Sequence, residues 1–240
     1  MWEYNITTNI KDIKYLIELE RNIKNKYKNA IIATHNNSMT IALPYNQKPK
    51  AFEYIKRILA ETIALIYKER LLTNNINFDY LSEEYKIAFV KSLIYFDLEE
   101  DIFEIINQID FDTGINFDSF YNFRLANLKY KWQQLILVCK SNTMFLESET
   151  FLEFLKFLID TIIPRHRSID VFYNGKNFEL LDENNNIICF NNTNNPEANL
   201  ISGLISLAPK TINLHCAGML SDNTFKIIYY IFNKKVNLLV

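Results

Sequence analysis

Apolar residues recur along this chain with two spatial periods, and the period changes twice. Near the N-terminus, residues 2–6 read as a short strand. Ile10, Ile13, Leu16, Ile17 and Ile23 then recur at helical spacing over residues 9–27. The stretch AIIATHNNSMTIALPY then gives two strand-like runs around the turn-forming cluster Asn36-Asn37-Ser38. From Pro49, which suits a first helical turn, the spacing is helical almost without interruption to residue 165. Phe52, Ile55, Leu59, Ile63 and Ile66 line a first helix ending near residue 73. Ser82-Glu83-Glu84 starts a second, and Leu98, Ile102, Ile105, Ile106 and Ile109 mark a third. Tyr121, Leu125, Leu128, Trp132, Leu135 and Cys139 form the stripe of one long packed helix, opened by Phe123-Arg124. Residues 147–163 are apolar around most of the circumference, which predicts a central place in the bundle.

After Pro164 the period becomes two. Ile169, Val171 and Tyr173 alternate with polar residues, and Asn174-Gly175 is the strongest hairpin signal in the chain. Phe178, Leu180 and Leu181 return, residues 182–186 turn, and residues 187–190 make a third strand. Pro196 sits at a helix start and Pro209 at its end. Residues 211–216 then read as a buried strand, Ser221-Asp222 as the cap of a last helix, and residues 236–240 as a closing strand. Strand, helix and strand within some 30 residues predict a parallel pair. The expected fold is α+β: a small N-terminal αβ element (1–48), a helical bundle (49–165) and a C-terminal mixed sheet ending in a βαβ unit (166–240), continuous in one compact unit.

Composition changes this picture little. The 240 residues are 49% apolar and 22% charged, with a formal charge of −2, and offer no net attraction to nucleic acid or anionic lipid. The charge is uneven, however. Residues 61–120 carry 4 basic against 13 acidic side chains. Asp97, Glu99, Glu100, Asp101 and Glu104 gather at one expected helix start, where acids suit the helix dipole and solvent; a partner-binding acidic face is the alternative. Cys139, Cys189 and Cys216 are odd in number and lack CxxC spacing, so neither a disulfide framework nor a zinc site is indicated. The start of the chain lacks a basic, apolar signal pattern, and the most apolar segment, residues 151–163, is too short for a membrane span. A cytoplasmic location is expected.

Candidate chemistry is sparse. His215-Cys216 lies where a strand runs out, beyond the carboxyl end where sites form in open α/β sheets, with Ser221 at the following helix start. A cysteine near a helix N-terminus can become nucleophilic with a histidine as base. Adjacent strand residues diverge, though, so core packing is the competing reading. Arg165-His166-Arg167 reads as a cationic loop that either binds a phosphate or carboxylate or caps the preceding helix. Arg124 can pair with an acid of another helix or be purely structural. Arg21, Lys24, Lys26 and Lys28 are the wet side of a helix or a nucleic-acid contact, and the acidic middle argues against the latter. Dinucleotide, P-loop, zinc-protease and nucleophile-elbow motifs are all missing, and no cofactor or metal is expected.

The segment ISGLISLAPKTINLHC followed by a helix and a terminal VNLLV resembles the YtxC-like family of endospore-forming bacteria. Phe123-Arg124 and the run FLEFLKFLIDTIIPRHRSIDVFYNGKNFELLDENNNII agree with it, so the resemblance covers residues 117–240. It implies a setting in sporulation and assigns no reaction. The expected function is therefore a noncatalytic cytoplasmic protein acting through protein contacts. The alternatives are a small-ligand binder or enzyme at the βα crevice near His215 and Cys216, and nucleic-acid binding through residues 21–28.

Overall fold

The computed structural model describes all residues except 10, 12, 78–80, 111–113, 142–148, 189–192 and 240. Cys189, the end of the third meander strand and the expected helix start at 147 lie outside the described residues. The elements are β1 (Trp2–Thr7), α1 (Ile13–Lys26), β2 (Ile31–His35), β3 (Ser38–Leu43), α2 (Lys48–Asn75), α3 (Glu83–Tyr95) and α4 (Leu98–Ile106). They continue with β4 (Ile115–Asn116), α5 (Phe117–Arg124), α6 (Ala126–Ser141), α7 (Glu149–Thr161), β5 (His166–Tyr173), β6 (Phe178–Asp182) and β7 (Ile187–Ile188). The chain ends with α8 (Pro196–Leu207), β8 (Pro209–Leu214), α9 (Asp222–Phe232) and β9 (Val236–Leu238). The fold is α+β, and the chain divides into two compact units: Met1–Leu71 with Leu98–Ile136, and Leu72–Asp97 with Leu137–Val240.

In the first unit, strand alternation puts Trp2, Tyr4 and Ile6 opposite Leu43, Ile41 and Met39, all six buried on one sheet face. The sheet order is β2-β3-β1-β4, antiparallel except for β1 and β4, where Ile6 pairs with Ile115. Asn36, with φ at 49°, turns β2 into β3 as a two-residue hairpin loop requires. Leu16, Leu19 and Ile23 bury the apolar stripe of α1, and Arg21, Lys24, Lys26 and Lys28 stand exposed, as the sequence spacing requires.

Two expectations change here. The long helix opened by Phe123-Arg124 is two helices. Leu125 departs from helical dihedrals (φ −106°, ψ 35°), ends α5, and accepts the Lys129 N–H that opens α6. Phe123-Arg124 therefore closes α5, and Phe123 is 82% exposed. The buried stripe survives the break because only one residue is spent on it. The acidic start of α4 is also not wholly solvated: Asp101 is buried and accepts hydrogen bonds from Lys68 Nζ (2.7 Å) and Trp132 Nε1 (3.0 Å). Around that pair Tyr67, Tyr121 and Trp132 stack in succession, at 4.1 and 6.4 Å, joining α2, α5 and α6.

In the second unit the sheet order is β7-β6-β5-β8-β9. β5 to β7 form an antiparallel meander turned at Asn174-Gly175, while β5, β8 and β9 are parallel neighbours. β8, α9 and β9 form the expected βαβ unit. Ile169, Val171, Leu180, Ile212 and Leu214 bury one sheet face. α8 packs on α3, β6 and α9, and α7 on α3 and α9. Asn195 caps α8 by accepting the N–H groups of Glu197 and Ala198, with Pro196 at its first turn.

Three further expectations are corrected. α7, expected at the centre of the bundle with most of its circumference apolar, has a solvent-facing side: Phe157 is 59% exposed, and the buried stripe is Phe151, Leu152, Leu155, Leu158 and Ile159. Arg165-His166-Arg167 is no loop: β5 begins at His166, which pairs with Pro209, because the alternation of the strand continues through those cations. Finally, Ala208 in the left-handed region (φ 43°), rather than Pro209, ends α8, and Pro209 already starts β8.

Candidate functional site

β8 ends at Leu214, so His215 and Cys216 are not bound by strand alternation, yet they still diverge. The His215 N–H is held by the Val171 carbonyl at 3.1 Å, continuing the β5 register by one residue. Its ring stacks on Phe172 (4.2 Å between centroids, 13° between planes), and its Nε2 lies 2.8 Å from Asp170 Oδ1. Asn213 donates to the same carboxylate oxygen at 3.1 Å, and Asn237 donates to Asn213 Oδ1 at 3.1 Å. Asp170, Asn213 and Asn237 are register partners on three parallel strands, so the hydrogen bonds form a rung across the open face of the sheet.

Cys216 goes the other way. It is 8% exposed, its Sγ sits 3.6 Å from the Val171 carbonyl, and burial pushes its thiol up to about 11. A thiol so shifted is a poor nucleophile at neutral pH. The opposite shift, expected near a helix N-terminus, does not occur.

The N-terminus of α9 already holds an anion. Glu197 of α8 takes the Ser221 N–H (2.6 Å) on one carboxylate oxygen and the Ser221 (2.5 Å) and Thr224 (2.6 Å) hydroxyls on the other. Ser221 Oγ in turn caps the helix by accepting the Thr224 N–H. A carboxylate in this place does what a bound phosphate does at other helix N-termini. Glu197 was invisible as a partner in the sequence, because its first-turn position in α8 explains an acid by itself.

The remaining candidates are not brought together. The Arg165 guanidinium lies 5.3 Å over the Tyr95 ring, and the Arg165 backbone N–H donates to the Ala208 carbonyl. His166 Nδ1 approaches Glu183 at 3.3 Å, and Arg167 is exposed. Glu183 and Asp182 sit below the usual carboxylate range, chiefly through a backbone N–H for Glu183 and the Asn186 side chain for Asp182. Arg124 is the exposed last residue of α5, where a cation suits the helix dipole.

Two shallow clefts were not foreseen. One, of about 440 Å³, is lined by Glu153, Lys156, Phe157, Asp160, Tyr230 and Asn233 between α7 and the end of α9. The other, of about 570 Å³, runs along α4 past Glu99, Glu100, Phe103, Glu104 and Asn107. Phe103 is 67% exposed among those acids. Among the described residues, no group of three or more His, Cys, Asp or Glu is placed to hold a metal, and no helix is long and apolar enough to cross a membrane.

No curated protein and no solved structure matches the chain. A family model, that of the YtxC-like family, matches residues 53–237. The match begins inside α2, upstream of the segment that carries the resemblance in the sequence, and leaves out β1 to β3. The chain belongs to the YtxC-like family.

Proposed function

We propose that this member of the YtxC-like family works in sporulation, in the cytoplasm, through contacts with another protein rather than by catalysis. The family's association with sporulation supplies the setting. The observation that carries the noncatalytic reading is the separation of His215 and Cys216, one ring stacked on Phe172 and paired with Asp170, the other thiol buried and held protonated. Ser221, the remaining hydroxyl nearby in sequence, is occupied by Glu197. The exposed Phe103 within its acidic surround has the apolar centre and charged rim of a contact surface, suited to a partner with basic residues around an apolar pocket. Tagged protein from sporulating cells is expected to co-purify one specific partner, and Phe103→Ser is expected to lose it without a change in melting temperature. Recovery of no specific partner sinks the reading.

A second reading, a small-ligand binder or enzyme at the end of β8, is favoured by the 2.8 Å His215–Asp170 contact beside an aromatic ring. It requires a ligand that raises the melting temperature of the wild type and not of His215→Ala. Nucleic-acid binding through α1 is less supported, since Lys24 pairs with Glu20 and Lys26 sits 4.0 Å over Tyr54. A gel shift at low salt, where phosphate contacts are strongest, decides it.

A further inference from the structure

Sheet edges in folded proteins carry unpaired main-chain groups, and natural chains blunt them by shortness, charge, proline or bulges. Among the described residues this protein has four such edges. Three are short: β4 and β7 have two residues each and β9 has three. β2 is different. It runs for five residues, Ile31-Ile32-Ala33-Thr34-His35, without a Lys, Arg, Asp, Glu, Pro or Gly, and in unbroken register with β3. Four of the five are exposed, and Ile31 is 61% exposed.

The register says which groups face outward. The two-residue loop makes His35 and Ser38 a hydrogen-bonded pair, and such pairs alternate along an antiparallel ladder. Ala33 and Ile31 are therefore also bonded to β3, through Thr40 and Ala42. The N–H and C=O groups of Ile32 and Thr34 point away from it.

We propose that β2 is a self-association edge, pairing antiparallel with β2 of a second copy about a two-fold axis through Ala33. That register sets Ile32 opposite Thr34 of the second copy, twice, so all four outward groups of each strand are used in four hydrogen bonds. It sets Ala33 against Ala33 at the axis and places each exposed Ile31 beside His35 of the other copy. No like charges are opposed, because β2 has no Asp, Glu, Lys or Arg and His35 stands beside Ile31 rather than His35 of the other copy. The same patch serves both copies, so the assembly closes at two. Five residues of edge bury far less than the roughly 800 Å² per partner of a stable dimer, and the association is weak and concentration-dependent. The edge lies outside residues 53–237, so it belongs to this chain's N-terminal sheet and does not rest on the function proposed above.

Sedimentation velocity over a concentration series, with amide exchange in parallel, tests this. Dimer is expected to accumulate with concentration, with the Ile32 and Thr34 amides gaining protection and the Ala33 amide unchanged. Ala33→Glu and Ala33→Lys, at an exposed position, should each weaken self-association about fivefold by opposing like charges at the axis. Mixing the two variants should restore it. A monomer at every concentration, self-association of both variants as strong as that of the wild type, or no recovery on mixing overturns the proposal. Protection of Ile32 and Thr34 only on adding a different protein also overturns it and assigns the edge to a foreign strand.

Discussion

The Lys68 ammonium and the Asp101 carboxylate meet at 2.7 Å with side-chain exposures of 1% and 0%. They lie on α2 and α4, and Trp132 of α6 donates to the same carboxylate oxygen at 3.0 Å, while Lys131 reaches the other at 3.4 Å. Opposed charges out of water are costly to separate, since removing one partner leaves the other buried with its charge uncompensated.

The roles of the two residues are unequal, which makes the pair testable. Asp101→Ala removes the acceptor for Lys68 and Trp132 together and should cost about 3–5 kcal/mol in urea unfolding. Lys68→Met leaves Asp101 with Trp132 and Lys131 and should cost less. The double variant Lys68→Met with Asp101→Leu should be more stable than Asp101→Ala alone. Equal costs for the two single variants would show that the Trp132 and Lys131 contacts contribute nothing.

Gly114 precedes β4 with φ at 87°, and a Cβ there would stand 2.5 Å from the Asn5 carbonyl oxygen of β1. Gly114→Ala should therefore destabilise by more than the ~1–2 kcal/mol of a left-handed residue alone. Gly175, at φ 90° in the β5–β6 turn, has open space where its Cβ would be, so Gly175→Ala should cost only the conformational part. Thermal melts of the two variants compare them directly; a smaller loss at 114 than at 175 would refute the close approach of β1.

Cys216 gives a pH dependence of known sign. Burial raises its folded-state thiol to about 11, so the folded chain favours the protonated form. This contribution is fully present below the ordinary thiol value and is lost as pH rises through that value towards about 11; Cys139, also raised to about 11, adds to it. Alkylation of Cys216 by iodoacetamide, followed by mass spectrometry, should still be accelerating above pH 9. A rate that levels off below neutral pH would restore the nucleophile reading.

Gly203 lies in the middle of α8, whose residues from Ala198 to Ile205 are buried without exception. Alanine improves helix propensity by about 1 kcal/mol over glycine, but overpacking a buried position costs roughly 1–3 kcal/mol. Gly203→Ala should lower the melting temperature and Gly203→Leu lower it further. A higher melting temperature for Gly203→Ala would mean that the helix has room at this position.

What could be read in advance was local. The Asn174-Gly175 hairpin, the Ser82 and Ser221 helix starts and the Pro196 first turn each depend on neighbours within a few positions. What could not be read depended on distant partners. Asp101 looked like a helix-start acid because Lys68 is 33 positions away. The break at Leu125 was hidden because the buried stripe, Leu125, Leu128 and Trp132, runs through it unchanged. Arg165, His166 and Arg167 masked the start of a strand because charge suggests a loop, whereas the solvent-accessible first residues of β5, the central strand, tolerate it. At the candidate site the position past the strand end was legible, but the Asp170 and Glu197 partners, 45 and 24 residues from His215 and Ser221, were not.

The packing of α3 on α8 has a consequence for how the chain is made. α3 ends at Tyr95 and α8 begins at Pro196, so about a hundred residues must be added before the second helix exists. At about 5–20 residues per second that interval is roughly 5–20 s. Throughout it α3, whose Ala88, Phe89, Leu93 and Ile94 are all buried in the finished protein, waits without its α8 partner. The chain also returns to its first unit, at Leu98–Ile136, before completing its second. The first unit is therefore complete once Ile136 is made, whereas the second waits for residues far downstream, and the nascent protein carries a long-lived apolar face for any holdase to find.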